Sequence, residues 1–212
     1  MLEFRHKKTG IFFDYWRELP RQGLLPSRSD FHPEDLPSLL SNFMIYELVS
    51  RDYIKVRLRG SVLGDRLGYH GIGDNYLDLV EKSRRSKASE SLWAMATQPC
   101  GMYVIIEQEL KSGLMVQMES LGLPFANSQG ETPLIIFQKN EIDSDQAREA
   151  EIASREAAAA EDVLEKIGSE MSRGKEPEAG IPSPGDGDCP RFIRPLERIF
   201  IDIGAGISTF RD

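Results

Sequence analysis

YIKVRLRGSVLGDRLGYHGIGDNYLDLV, residues Tyr53 to Val80, changes its periodicity partway along. Ile54, Val56 and Leu58 alternate with Lys55, Arg57 and Arg59, which gives an extended chain one apolar and one charged face and so predicts a strand with one face covered. The alternation stops at Gly60 and Ser61. Val62, Leu63, Arg66 and Leu67 then follow helical spacing, while Gly64, Gly68, Gly71 and Gly73 keep the chain bending, so no single long helix fits. A strand that runs into short helical turns around several glycines builds the cupped wall of a pocket set against a sheet.

The flanks supply the rest of that sheet. Phe43 to Val49 reads as a strand and Ser50 to Asp52 as a tight turn, so Tyr53 to Arg59 is its antiparallel partner. Past Val80, Ser83 to Thr97 reads as a helix with Ala88, Leu92, Trp93, Met95 and Ala96 on one side, ended by Pro99 and Gly101. Three strands follow: Met102 to Leu110, Leu114 to Leu121 across a Lys111-Ser112-Gly113 turn, and Thr132 to Lys139. Two strands before a helical crossover and three after it predict an α+β domain with a five-stranded antiparallel sheet and short helices on one face.

Upstream, Ile11, Phe12, Phe13, Tyr15, Trp16 and Leu19 recur at helical spacing until Pro20 and Gly23, an amphipathic helix whose aromatic face packs on its own domain or binds a partner. Pro33 suits a first helical position, Glu34 and Asp35 sit well at the positive end of a helix, and Leu36, Leu39 and Leu40 give that helix a buried side. Arg28 and Asp30 read as a local ion pair or cap.

Downstream the character changes. Ala150, Ala153, Ala157, Ala160, Leu164, Ile167 and Met171 recur at steps of three and four, a heptad stripe with little apolar area per residue. Packing on its own domain, pairing with a second copy and standing free as a polar helix all fit that stripe. Ser172 to Pro190 is rich in Pro, Gly, Asp and Glu and reads as a linker. Ile199, Ile201 and Ile203 then alternate with Phe200 and Asp202, a strand that returns to the domain. The segments are thus 1–41, an N-terminal helical cap; 42–140, the core; 141–172, a long acidic Ala-rich helix; 173–195, a flexible linker; and 196–212, the returning strand.

The totals exclude several classes of function. The chain has 212 residues, 40% of them hydrophobic, enough for a core, and a formal net charge of -8. Twelve of the 34 acidic residues but five of the 26 basic ones lie between Glu141 and Gly180, so the remainder is nearly neutral and offers no basic face to a nucleic acid. Arg84, Arg85 and Lys87 form the one compact basic patch, which reads as a solvated helix start. No apolar run approaches the ~20 residues that span a bilayer, and the N-terminus lacks the features of a signal peptide, so a cytoplasmic protein is expected. Cys100 and Cys189 make no disulfide framework, and His6, His32 and His70 are too scattered for a metal site. Gly204-Ala205-Gly206 is no phosphate loop, and no nucleophile elbow or dinucleotide fingerprint occurs, so no enzyme is expected.

The run from Phe13 to Leu48, followed by Tyr53 to Leu79, resembles the alphaproteobacterial PAS-domain family of the PAS_5 type, formerly a domain of unknown function. The matching positions are Tyr15, Trp16, Gly23, Pro26, Ser27, Arg28, Asp30, Pro33, Pro37, Leu39, Leu40, Arg57, Leu58, Gly60, Leu67, Gly68, Gly71 and Leu77, and Asp202 to Gly206 also looks family-like. His32 departs from the family's usual Asp, and the acidic helix is longer than expected. The resemblance implies a PAS fold and a small cytoplasmic protein without a fused output domain. Tyr53 to Arg84 lacks the Cys of a flavin photosensor and Ser83 to Pro99 the His of a haem sensor, so neither cofactor is expected.

Two functions stay open. One is a non-catalytic PAS sensor or adaptor in signal transduction, with a small apolar ligand held by Tyr46, Arg57, Tyr69, Trp93, Tyr103 and Met118. The other is a ligand-free interaction scaffold, acting by homodimerisation or through partner helices. A cavity with polar groups in its wall favours the first; a filled core favours the second.

Overall fold

A computed structural model describes residues 3–21, 23–67, 71–127, 134–142, 193–203 and 210–211, with Leu67 and the last pair as backbone only. The period-two pattern forms strands β1 (Phe43–Ser50), β2 (Tyr53–Arg59), β3 (Cys100–Glu109), β4 (Met115–Phe125), β5 (Leu134–Glu141) and β6 (Ile193–Asp202). They make one antiparallel sheet in the order β2-β1-β5-β4-β3-β6, and a two-residue strand β7 (Phe210–Arg211) pairs with Ile199 and Phe200 at its end.

The sheet therefore has a sixth strand where five were expected. β6 pairs with β3 from Cys100↔Asp202 to Gln108↔Ile193. The isoleucine alternation marks only its second half. Arg194, Pro195, Glu197 and Arg198 disguise the first half, since a proline cannot donate to a ladder. The register shift opposite Ile105 and Ile106 resolves the conflict by leaving Leu196 as the extra residue of a bulge beside Pro195.

Both faces of the sheet are buried, so its strands read as apolar on both parities. On one face Met44, Tyr46, Met102, Val104, Met118 and Phe137 pack beneath α2 (Ser61–Leu67), a 3₁₀ turn at Tyr76–Leu79 and α3 (Arg85–Thr97). These are the crossover helices. On the other face Ile45, Ile105, Leu121, Leu123 and Ile136 meet Phe12 and Trp16 of α1 (Lys7–Glu18). The aromatic face of α1 is thus spent on its own domain: Trp16 Nε1 donates to the Pro124 carbonyl at 3.1 Å, and the Arg21 guanidinium lies 4.2 Å over the indole.

The helix expected from Pro33 to Leu40 is broken into 3₁₀ turns at Pro33–Asp35 and Leu40–Asn42. Pro37 lacks an N–H and drives Leu36 out of helical backbone, so Leu36 and Leu39 are buried while Leu40 is 40% exposed. Gly60 marks the exit from β2 because its amide donates to the Phe43 carbonyl at 2.8 Å. A Cβ there would collide with the Ser41 backbone.

Candidate functional site

Between the crossover face of the sheet and α3 lies a cavity of about 290 Å³. Tyr46 of β1, Met102, Val104 and Ile106 of β3, and Phe137 of β5 form its apolar floor. Tyr76, Val80, Ala88 and Leu92 close it from the helical side, and Ile193 to Arg198 of β6 supply a third wall, without Arg194. Tyr46 is fixed by its rings of contact, with its centroid 4.7 Å from Tyr76 and 5.5 Å from Phe137.

Polar groups interrupt this apolar surface at defined places. Ser120 and Lys139 are directly opposite one another in the β4–β5 ladder and both line the cavity. The Ser120 hydroxyl is buried with no hydrogen-bond partner. Lys139 is 6% exposed, and its ammonium finds neither a carboxylate nor a hydrogen-bond acceptor among the described residues. Burial, and then the nearby Arg59 guanidinium, push its pKa down to about 8. Arg84 and Lys87 reach the cavity from the start of α3, where Arg84 Nη1 is buried without a hydrogen-bond partner. The basic patch is part-solvated, as expected of a helix start, with Lys87 exposed and Arg84 4.0 Å from Glu81, yet both also line the cavity, while Arg85 pairs with Asp78 at 3.3 Å.

The residues expected at the site are dispersed. Tyr46 lines the cavity, and Met118 lies in the same apolar layer. Trp93 packs at the edge of that layer, where its Nε1 donates to the Ser50 carbonyl at 3.3 Å beneath the Arg51 guanidinium. Tyr103 is on the opposite face, tilted against Phe4 with ring centroids 5.9 Å apart, and burial there raises its pKa. Arg57 is exposed and binds Glu47 at 2.9 Å. Tyr69 lies outside the described residues. Strand parity held the missing signal: once Met118 and Phe137 face inward, Ser120 and Lys139 two positions on must do so as well.

Cys100 lies in the cavity-side layer, and burial pushes its thiol up to about 11, so it stays protonated. Among the described residues no cluster of His, Cys, Asp or Glu could hold a metal ion, and no helix is long and apolar enough to cross a membrane.

The fold is thus one antiparallel sheet whose helical crossover cups a pocket. The chain belongs to the PAS domain family, whose PAS_5 type matches residues 4–137. Similar solved structures include an RNA-binding light-oxygen-voltage receptor, at 17% identity and a TM-score of 0.41, with 68% of this chain and 42% of that one covered. The PAS domain of BvgS from Bordetella pertussis is 14% identical, with a TM-score of 0.39 and 59% of this chain and 96% of that one covered. A sensory box histidine kinase/response regulator from Burkholderia thailandensis E264 is 16% identical, with a TM-score of 0.35 and coverage of 61% and 99%. The chain spans under half the length of the first of these proteins. No curated protein matches it in sequence.

Proposed function

We propose that this chain is a non-catalytic PAS sensor or adaptor of cytoplasmic signalling, in which a small, largely apolar ligand occupies the cavity between the sheet and α3. Occupancy would change how α3 and the flanking segments are displayed to a partner protein or a second copy. One observation carries this reading: a space of about 290 Å³ is lined by apolar side chains from four strands and α3, with a few polar groups converging on it. Small-molecule sites share that composition. A filled core would have left no such space.

The scaffold is the second reading. Val49 and Leu58 are exposed at the β2 end of the sheet, where a homodimer contact would cover them. The aromatic face of α1 is no longer available for that role.

Native mass spectrometry of the full chain, purified from its own host, separates the two. The expected result is a native mass exceeding the denatured mass by one small molecule. A bare mass, with dimer as the main species, would overturn the sensor reading in favour of the scaffold.

A further inference from the structure

We propose that the cavity selects a small monocarboxylic acid, its carboxylate held by Ser120 and Lys139 and its hydrocarbon body by the apolar floor. The proposal rests on the reading of the cavity as a ligand site and adds the chemistry of the ligand.

A buried ammonium is costly unless it is paired, and long basic side chains ordinarily reach a carboxylate or snorkel to water. Lys139 has no carboxylate partner among the described residues, and its side chain lines the cavity. It is 6% exposed, and the charged group acting on it is another cation, Arg59. Its cross-strand neighbour Ser120, 1% exposed, is likewise a donor without a partner. Directly opposed residues on adjacent strands have Cβ atoms about 4.5–5.5 Å apart, so the two oxygens of one carboxylate can accept from both side chains. Arg84 Nη1 is buried in the helical wall without a hydrogen-bond partner, while the Nε of the same guanidinium lies 4.0 Å from Glu81.

The rest of the wall has the same sign. Lys87 and Arg198 line it as well, against one carboxylate, Glu197, which lies 3.7 Å from the Arg5 guanidinium. Basic side chains thus outnumber acidic ones in the lining of the cavity, which favours an anion over a cation. Size limits the body of the ligand. A volume of about 290 Å³ holds roughly ten waters' worth of liquid, which suits an acid of about eight to eleven carbons.

The test uses matched pairs that differ only in charge: octanoate with octanamide, and 2-naphthoate with 2-naphthamide. Each is titrated calorimetrically into the ligand-free full chain at pH 7. In at least one pair the acid should bind ten times or more tightly than its amide. Lys139→Met should abolish that preference, Lys139→Arg should restore it, and Ser120→Ala should weaken the acid alone. Equal binding of acid and amide in both pairs, or a preference that survives Lys139→Met, would overturn the anionic head while leaving the cavity a ligand site. So would a co-purified ligand whose mass identifies it as lacking an acid group. If none of the four compounds binds and the native mass is bare, the ligand site falls as well.

Discussion

Lys139 is unusual because nothing in the described protein offsets the cost of its charge. Its pKa is about 8 in the folded chain against an ordinary 10.5. Between those values the unfolded chain holds the extra proton, so stability rises with pH across that window, by on the order of 3 kcal/mol. The Arg59 guanidinium adds to burial in opposing protonation of Lys139. Lys139→Met removes the buried charge and should stabilise the ligand-free protein by roughly 1–3 kcal/mol at pH 7. Urea titrations should show that gain shrinking to nothing by about pH 10. Cys100 works in the opposite sense: its thiol is raised from 9.0 to about 11, so it lowers stability as pH climbs between those values. It is present in both proteins, and the difference between wild type and variant isolates Lys139. A variant less stable than wild type at pH 7 would show that the ammonium has a partner in solution. None of this is visible in the composition. A lysine two residues after Phe137 reads as a polar strand end, and only the arrival of α3 over that face converts it into a buried cation.

At the scale of elements, the attachment of α1 turns on one carboxylate. Glu119 is fully buried on the face opposite the cavity and accepts from the amides of Arg5 and His6 at 2.7 and 2.8 Å and from the Thr9 hydroxyl at 2.7 Å. It thus sits at the positive end of the helix, where a negative charge is stabilising. His6 completes the cap, its Nδ1 accepting from the Lys8 amide at 3.1 Å. Burial outweighs the attraction of Glu119 and lowers the His6 pKa, which keeps that nitrogen an acceptor at neutral pH. Thr9 in turn accepts from Asn140, and Asn140 from Gln138. Glu119→Gln turns one acceptor into a donor facing donors, with an expected cost of about 2–4 kcal/mol. Hydrogen exchange should accelerate in Lys7–Glu18 ahead of the sheet. Uniform loss of protection across α1 and β4 would instead mean that the helix and sheet unfold as one unit. The aromatic spacing made this helix legible, since Phe12 and Trp16 follow the 3.6 period. Its anchor was not, because Glu119 lies more than a hundred residues away and looks like a solvated strand residue.

For the whole molecule, the sheet is completed across a long interval. Glu141, Met118, Ile106 and Pro195 lie in one row across β5, β4, β3 and β6. Strands are spaced about 4.8 Å apart, so the end of β5 and the start of β6 are roughly 14 Å apart at the same end of the sheet. Fifty residues separate Ile142 from Ile193 in the chain. A flexible linker of ten residues has a root-mean-square span of roughly 17 Å, enough for the gap. Replacing residues 145–190 with ten Gly/Ser residues should therefore leave a cooperatively folding domain, its melting temperature within a few degrees of wild type. Loss of protection in β6 on that replacement would show that the replaced residues hold the strand in place.

By itself the sequence determined the elements that obey short periods: the two hairpin strands, the glycine-rich crossover, the helix after it, the aromatic N-terminal helix and the family to which they belong. These depend on neighbours within one or two turns of chain, so local spacing suffices. Only the tertiary structure decided the number of strands, because β6 is assigned by hydrogen bonds to β3 and its first half is charged and interrupted by Pro195. It also decided which side chains share the cavity. Tyr46 and Tyr103 look alike along the chain but lie on opposite faces, whereas Ser120 and Lys139 are nineteen residues apart and meet across one rung. Facing and registry belong to the assembled sheet, and a cavity exists only once two layers close over it.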